Sequence, residues 1–214
     1  MTSGWMDQFT DIFARRPSGW LGRTLYRHAT GHQAGFRIAL DAMPITPQDN
    51  VLDVGCGGGA FLSHVLATGA KGTGVDHSAD MLATTRQTHS DAIASGRMHV
   101  LEGDAAHLPL PDAQFTRIFC LNAFFFFPDP AAAIREMARV ARPGATVAIL
   151  TTPPEMESMA RLVFGPVARR MRFDSAQDLT GWATQAGLVF RQLLPVPKGG
   201  ILHISEKPST GSLS

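Results

Sequence analysis

The chain has 214 residues, of which 44% are hydrophobic and 17% are charged, and its net charge is +1 at pH 7. This length suits one α/β domain with a sizeable core, and the lack of any lysine or arginine run argues against a nucleic-acid-binding protein. The two cysteines are too few for a disulfide framework and indicate a reducing cytoplasm.

The sequence also lacks the marks of a secreted or membrane-inserted protein. Residues Met1 to Phe13 have no basic region followed by an apolar one, as a secretory signal would. The longest apolar run, Ile118 to Pro128, contains Asn122 and is far too short to span a bilayer. We therefore expect a cytoplasmic protein without membrane insertion, present as a monomer or a homodimer.

The N-terminal part of the chain, residues 1–45, is predicted to be a helical cap. A short helix is indicated over Trp5–Ala14, before a segment that proline and glycine interrupt. Apolar spacing predicts a second helix from Thr30 to Met43, which ends before Pro44.

Strand and helix patterns alternate from residue 50 onward. The predicted strands are Val51–Val54, Lys71–Asp76, Arg97–Leu101, Phe115–Leu121 and Ala145–Thr151. The predicted helices begin near Phe61 and cover Ala79–Ile93 and Pro130–Ala141. Such alternation implies a parallel sheet that helices cover on both faces.

The end of the chain has a different pattern. Helix composition over Ser175–Gln185 precedes two predicted strands, Leu188–Leu194 and Gly200–Ser205, whose connection is short enough for an antiparallel hairpin. The predicted fold class is therefore α/β: a Rossmann-like, doubly wound, seven-stranded sheet, mostly parallel, with an antiparallel last strand.

A glycine cluster follows the first predicted strand and precedes a helix, in the segment VLDVGCGGGAF. Glycine permits backbone angles that a side chain would obstruct, and it lets a ligand approach the main chain closely. Asp53 places a carboxylate at the mouth of the same crevice. The glycine spacing alone also satisfies the G-x-G-x-x-G/A pattern of NAD-binding loops, so an NAD-dependent oxidoreductase is one candidate.

Three acidic residues, Asp53, Asp76 and Asp104, fall at the ends of three successive predicted strands. In a doubly wound sheet, ligands bind outside the carboxyl ends of the strands, so we expect these carboxylates to line one crevice. Asp76 lies 23 residues after Asp53. In nucleotide-binding folds, an acid at about this spacing accepts hydrogen bonds from ribose hydroxyls.

The chain resembles the class I S-adenosylmethionine (SAM)-dependent methyltransferases in five segments that occur in order: VLDVGCGGGAF, GVDHSADML, LEGDAAHLPLPDAQF, IFCLNAFFFFPDP and REMARVARPGATVAIL. The nearest branch resembles the small-molecule enzymes of ubiquinone and menaquinone biosynthesis (methyltransferase type 11). The resemblance is dense from Asn50 to Thr151, and it favours SAM over NAD. The product would be S-adenosylhomocysteine (SAH).

The resemblance assigns residues to the methionine end of SAM. Gly55, Gly57 and Gly59 would let the backbone approach the methionine part, and Asp53 would help to hold its amino group.

Other residues are assigned to the adenosine end. Asp76 would accept hydrogen bonds from the ribose, and His77 would pack beside the adenine. Asp104 would accept from the adenine amino group, while the backbone of Ala105 would contact the ring. Asn122 would lie near the sulfonium and the methionine moiety.

The acceptor pocket is predicted to involve two segments. In the first, Phe124 and Phe126 either pack under the next helix or face an aromatic or apolar acceptor. The second, residues 153–173, carries apolar residues such as Met156 and Met159 at near-helical spacing, with arginines between them. It reads either as an amphipathic helix packed on the sheet or as a substrate lid, and methionine-rich surfaces adapt to varied ligands.

The expected function is transfer of a methyl group from SAM to a small, largely apolar acceptor by in-line displacement. The alternative is a SAM- or SAH-binding protein without transferase activity, because the sequence offers no strong general base. Tyr26, His28 and His32 are the catalytic candidates, although a structural role suits each of them. The His28/His32 pair has no third ligand, so we expect no metal site.

These expectations divide a single methyltransferase domain into five parts. They are a helical cap (1–45), a SAM-binding core (46–152), a substrate-lid insertion (153–173), a C-terminal helix and hairpin (174–207) and a frayed tail (208–214).

Overall fold

The computed structural model describes residues 32–209 of the chain. Within this range the α-helices are α1 His32–Ala42, α2 Ala60–Ala67, α3 Ala79–Thr88, α4 Ser90–Ala94, α5 Pro130–Val140, α6 Glu157–Phe164 and α7 Ala176–Gln185. The strands are β1 Asn50–Val54, β2 Lys71–Asp76, β3 Met98–Glu102, β4 Phe115–Leu121, β5 Ala141–Thr151, β6 Val189–Val196 and β7 Gly200–Glu206. The helix predicted over Trp5–Ala14 lies outside the described residues.

The strands form a single seven-stranded sheet in the order β3-β2-β1-β4-β5-β7-β6. Neighbouring strands pair in parallel except at β7, which is antiparallel to both β5 and β6. The chain runs outward from β1 to β3 and then returns to the other side of β1 as β4. This reversal opens a crevice at the carboxyl ends of β1 and β4, where doubly wound sheets bind their ligands. The predicted fold class is confirmed.

The central strands β1 and β4 are buried along most of their length, which explains why both are largely apolar. Successive residues of β4 alternate between the faces. Ile118 and Cys120 join the core that contains α5 and α7, whereas Phe119 and Leu121 join the core that contains α1 and α2. No helix within residues 32–209 is long and apolar enough to cross a bilayer.

Two predicted boundaries are wrong. The helix predicted over Ala79–Ile93 is broken at His89, which ends α3 and precedes α4 with φ −115° and ψ 26°. Strand β5 begins at Ala141, directly after α5, and not at Ala145. The Arg-Pro-Gly segment at its start lies within the strand, where the pairing with β4 shifts register, because Gly144 (φ 80°) accommodates the irregularity.

Residues 153–173 form a compact series of turns around one helix. Two 3₁₀ segments, Pro154–Met156 and Gly165–Arg170, flank α6. Gly165, with φ 52°, ends α6, and Pro166 follows it. The backbone N–H of Arg172 donates to the carbonyl oxygen of Phe125 at 2.7 Å, which ties the end of the segment to the loop after β4. A long continuous helix is therefore absent here.

Candidate cofactor and active site

The glycine cluster forms a tight loop between β1 and α2. The N–H groups of Gly55 and Cys56 both donate to the carbonyl oxygen of Val75, at 2.7 and 3.1 Å, which holds the loop against β2. Gly55 has φ 76° and Gly57 has φ 51°, values that residues with side chains rarely adopt. A Cβ on Gly55 would also collide with the Cβ of Ala123. The loop therefore presents bare backbone to the crevice.

Asp53 is a buried carboxylate without a hydrogen-bond partner among residues 32–209. Its residue is 2% exposed. Burial raises the pKa of Asp53 to about 8, and the negative charge of Asp76 adds to the shift. An ionised carboxylate is costly in such a place unless a positive group lies beside it. A cationic ligand group beside Asp53 would therefore stabilise its ionised form.

Asn122 is the second unsatisfied group, at the carboxyl end of β4. Its φ of 63° is a left-handed conformation. Its side-chain Nδ2 is buried and has no hydrogen-bond partner within the described part of the chain. Strained backbone and unpaired buried donors both cluster at functional sites. Asn122 therefore offers an amide donor to a ligand in the crevice.

Asp76, by contrast, is held firmly by backbone donors. Its Oδ2 accepts from the N–H of Gly57 at 2.8 Å, and its Oδ1 accepts from the N–H of Ser78 at 2.9 Å. His77 Nδ1 lies 3.5 Å from Oδ1, and this imidazole is half exposed. Since each carboxylate oxygen has a further lone pair, Asp76 can still accept hydrogen bonds from a ligand's hydroxyls.

Asp104 and Ala105 lie just beyond β3, opposite Asp76. Asp104 Oδ1 accepts from the N–H of Ala106 at 2.9 Å, which fixes the turn, while most of the carboxylate stays exposed. Ala105 is buried. The turn presents a carboxylate and small, buried backbone to the edge of the crevice, an arrangement suited to a flat heteroaromatic ring.

Two adjoining cavities contain the residues predicted to bind the cofactor. The first, of about 270 Å³, is lined by Gly55, Gly57, Asp76, His77, Asp104, Ala105 and Asn122 among others. The second, of about 440 Å³, is lined by Asp53, Gly55, Gly57, Gly59 and Asn122 among others. Because Gly55, Gly57 and Asn122 line both cavities, an elongated ligand can extend from one cavity into the other.

Several lining residues were not identified from the sequence. Met81 lines both cavities, and its place in the segment GVDHSADML was the one available signal. Phe36, Phe61 and Leu121 form an apolar wall of the second cavity. Phe36 comes from α1, and nothing in its local sequence distinguishes it from an ordinary core residue.

The structure places the two phenylalanines of the predicted acceptor pocket in different surroundings. Phe124 is 0% exposed and packs in the core, with its ring centroid 5.7 Å from that of Phe127. Phe126 instead lines the first cavity, as does Phe127. Because Phe124–Phe126 form a 3₁₀ turn, Phe124 and Phe126 do not lie on one face, as residues two apart would in a strand.

The two methionines of the lid segment lie outside both cavities. Met156 packs against Gly199 in the turn between β6 and β7, and Met159 is 58% exposed. Leu162 and Val163 on the same helix are also exposed, at 85% and 66%.

The catalytic candidates cannot be placed from the described residues. Tyr26 and His28 lie outside them. His32 begins α1, but its side chain is outside the described part, and Phe36 one turn later lines the second cavity. Within residues 32–209, no group of three or more His, Cys, Asp or Glu side chains is arranged to hold a metal ion.

The site's chemistry fits SAM. The unpaired Asp53 carboxylate suits the ammonium group, the free Asn122 amide donor suits the amino-acid carboxylate, and the bare backbone at Gly55 admits close approach. Asp76 suits the ribose hydroxyls. SAM carries no phosphate, so an acid-lined crevice presents no electrostatic conflict with it.

Comparisons with known proteins agree with this chemistry. Residues 52–149 match the family model described as a methyltransferase domain. The O-methyltransferase of Pyrenophora dematioidea is 30% identical over 152 residues, which cover 67% of this chain and 57% of that protein. The ubiquinone biosynthesis O-methyltransferase of Pseudoalteromonas translucida (strain TAC 125) is 31% identical over 150 residues, covering 65% and 63%. The chain thus matches less than two thirds of the length of these relatives.

Solved structures share the fold at low sequence identity. A SAM-dependent methyltransferase from Aquifex aeolicus superposes with a TM-score of 0.71 and 21% identity, covering 86% of this chain and 96% of that one. Geranyl diphosphate C-methyltransferase from Streptomyces coelicolor, solved with SAH, gives a TM-score of 0.70 at 13% identity, covering 82% and 79%. With its sheet order, its glycine loop and its matched residues 52–149, the chain contains a SAM-dependent methyltransferase domain of class I.

Proposed function

We propose that the chain transfers a methyl group from SAM to a small, largely apolar acceptor by in-line displacement. The observation that carries this proposal is the second cavity, of about 440 Å³, whose wall is formed by Phe36, Phe61 and Leu121. Asp53 and the glycine loop line the same cavity, so an acceptor held against its apolar wall would lie next to the methionine end of the cofactor. Its size is within the range of small-molecule sites.

The roles proposed for the cofactor-binding residues follow from their positions. Asp53 pairs with the ammonium group of SAM, and Asn122 donates to the methionine moiety. Gly55, Gly57 and Gly59 admit the methionine backbone.

At the other end of the cofactor, Asp76 accepts from the ribose hydroxyls and His77 packs beside the adenine. Asp104 accepts from the adenine amino group, next to Ala105, and Phe126 supplies an apolar edge of the same cavity.

Alignment supplies most of the expected rate enhancement. SAM provides a methyl group already activated by its sulfonium, and the carbon–sulfur bond breaks as the bond to the acceptor forms. The chain's residues hold the two partners in line and keep water away from them. A general base is required only if the acceptor loses a proton during attack. We propose Tyr26 or His32 for that role.

The names of similar proteins support a small-molecule acceptor. They include a relative named for ubiquinone biosynthesis and a solved structure of the same fold named for geranyl diphosphate. We propose the reducing cytoplasm as the location, in keeping with Cys56 and Cys120, which are both free and buried. We propose further that the protein acts as a monomer or homodimer, without nucleic acid and without membrane insertion.

We propose that residues 153–173 and the cap, residues 1–45, close over the acceptor as the outer parts of one methyltransferase domain. The remaining parts are the SAM-binding core (46–152), the C-terminal helix and hairpin (174–207) and the tail (208–214). Met156 and Met159 would then contact the acceptor only after this closure, since neither lines the first or the second cavity. Exchanging residues 153–173 with a relative's segment should change acceptor preference, and an unchanged preference would contradict the lid.

The test has two stages. Calorimetry with SAM, SAH and NAD should show binding of the first two and none of the third. A screen with methyl-labelled SAM against phenolic, quinol-like and isoprenoid acceptors should then give labelled product. Tight SAH binding with no product from any acceptor class would favour a SAM-binding protein without transferase activity. Binding of NAD alone would overturn the cofactor assignment.

A further inference from the structure

Two residues at the C-terminal end of α3, Thr85 and the capping residue His89, face the glycine loop. Neither residue was identified from the sequence. Thr85 is 0% exposed, and its Oγ1 donates to the carbonyl oxygen of Gly57 at 2.7 Å. His89, one turn later, is 8% exposed, and its Nε2 lies 3.0 Å from the carbonyl oxygen of Gly59. Since a carbonyl oxygen only accepts, Nε2 must carry the proton and donate it.

These bonds complete a hydrogen-bonded circuit around the cofactor crevice. Asp76 accepts from the N–H of Gly57 and from the N–H of Ser78. Ser78 caps α3 by accepting from the N–H of Met81. From α3, Thr85 donates to the carbonyl oxygen of Gly57, so this residue is held through both its N–H and its C=O.

The same two side chains also fill the space behind the loop. A Cβ on Gly59 would lie 2.9 Å from Thr85 Cγ2 and 3.0 Å from His89 Nε2. Neither Thr85 nor His89 lines either cavity, whereas Met81 lines both. Thr84 and Thr88, also on α3, line the second cavity. The two residues therefore support the loop from its far side.

A glycine loop is costly to order when a ligand binds, because glycine has the largest backbone freedom of any residue. Holding the loop in its bound shape beforehand lowers that cost and raises affinity. We infer that Thr85 and His89 are positioning residues, which set the glycine loop for the methionine end of SAM through the carbonyls of Gly57 and Gly59. This inference rests on the proposed placement of the methionine moiety at the loop.

The test compares two ligands that differ only at the methionine end, SAH and 5′-methylthioadenosine. Thr85→Val removes the hydroxyl, whose oxygen lies 2.7 Å from the carbonyl oxygen of Gly57 and 3.1 Å from that of Met81. His89→Leu removes the imidazole donor to Gly59, and both variants keep a similar side-chain volume. We expect each to raise the Kd of SAH about three- to tenfold, as loss of one such bond implies. The Kd of 5′-methylthioadenosine should change by less than about twofold, since this ligand lacks the amino-acid group that the glycine loop would receive.

Conservative variants supply the rescue. Thr85→Ser keeps the hydroxyl, and His89→Gln keeps an amide donor near the position of Nε2, so both should bind SAH within about twofold of the parent protein. Thr184→Val is the matched control, because Thr184 is exposed on α7 and its hydroxyl bonds only to the carbonyl of Thr180. The midpoint of thermal unfolding without ligand is measured for every variant.

Three results would overturn the inference: unchanged SAH affinity in both variants, equal losses for both ligands, or no rescue by serine and glutamine. Should Thr85→Val fail to fold, Thr85→Ala removes the same bond and gives the same comparison. Failure of the parent protein to bind SAH at all would instead refute the proposed cofactor site. The measurements need no acceptor and no turnover.

Discussion

Replacing Asp53 by asparagine should have opposite effects on folding and on cofactor binding. The Asp53 side chain is almost fully buried, and its pKa is raised to about 8 by burial and by Asp76. A carboxyl whose folded pKa lies above its unfolded value, 3.8, stabilises the fold fully below that value, and the contribution is lost as pH rises toward 8. Between pH 4 and pH 7 the loss is about 4 kcal/mol at 1.4 kcal/mol per pH unit.

The unliganded Asp53→Asn variant has no such loss, so its stability relative to the parent protein should rise with pH across this range. Denaturant unfolding at pH 4, 5.5 and 7 measures the difference. Asp91→Asn, on the exposed surface of α4, is the matched control, and its difference from the parent should vary much less with pH.

Cofactor binding provides the sharper assay. At pH 7 a group with a pKa of about 8 is roughly nine-tenths protonated, and pairing with the ammonium group of SAM requires the ionised form. Binding should therefore release about 0.9 proton per SAM at Asp53, measured by calorimetry in buffers of different ionisation enthalpy. Asp53→Asn should bind SAM more weakly and release about 0.9 proton less. Equal proton release by the two proteins would refute the pairing of Asp53 with the ammonium group.

Four further substitutions test other parts of the structure. Phe124→Ala should lower the free energy of unfolding by about 3–5 kcal/mol, because Phe124 is a buried core ring. Phe126→Ala should mainly raise the Kd of SAM, because Phe126 lines the cofactor cavity. The reverse pattern in denaturant unfolding and calorimetry would show that the two rings are misassigned. Gly55→Ala should lower stability by about 1–3 kcal/mol and abolish SAM binding, since its positive φ and the nearby Ala123 leave no room for a methyl group; normal SAM binding would contradict the tight loop. Burial lowers the pKa of His203 from 6.5 to about 4, so the folded protein resists protonation of this imidazole. As pH drops from 6.5 to 4, the free energy of unfolding of the parent protein should therefore fall by about 3 kcal/mol more than that of His203→Gln. Denaturant unfolding measures both, and equal falls in the two proteins would contradict the prediction.

Much of the fold follows from patterns that are local in the chain. Within about a dozen residues, the spacing of apolar residues indicates the strand before Gly55 and the helix after the loop. The glycines indicate the turn between them, because they allow positive φ angles. The order of the strands and the short connection between β6 and β7 likewise left few arrangements for the sheet. For the same reason, Asp53, Asp76 and Asp104 could be placed at one edge before any contact was known, because parallel strands end on the same side.

Other features depend on partners far away along the chain, and no local pattern reveals them. The break between α3 and α4 occurs at His89, whose imidazole bonds to a carbonyl 30 residues earlier. Phe124 lies in the core while Phe126 reaches the cavity, because a 3₁₀ turn directs the two rings apart. Phe36 reaches the second cavity only because α1 packs on the face of β4 that carries Phe119 and Leu121.

Sequence by itself determined the class of fold, the methyl donor and the residues at the mouth of the crevice, since each depends on residue types at fixed short spacings. Tertiary structure decided the burial of these residues and, for Asp53, the pKa. Asp53 is an acid of ordinary type in the sequence, and it becomes a carboxyl with a pKa of about 8 only when the sheet and α2 bury it beside Asp76. Burial is a property of the packed chain, and so the raised pKa of Asp53 could be recognised only in three dimensions.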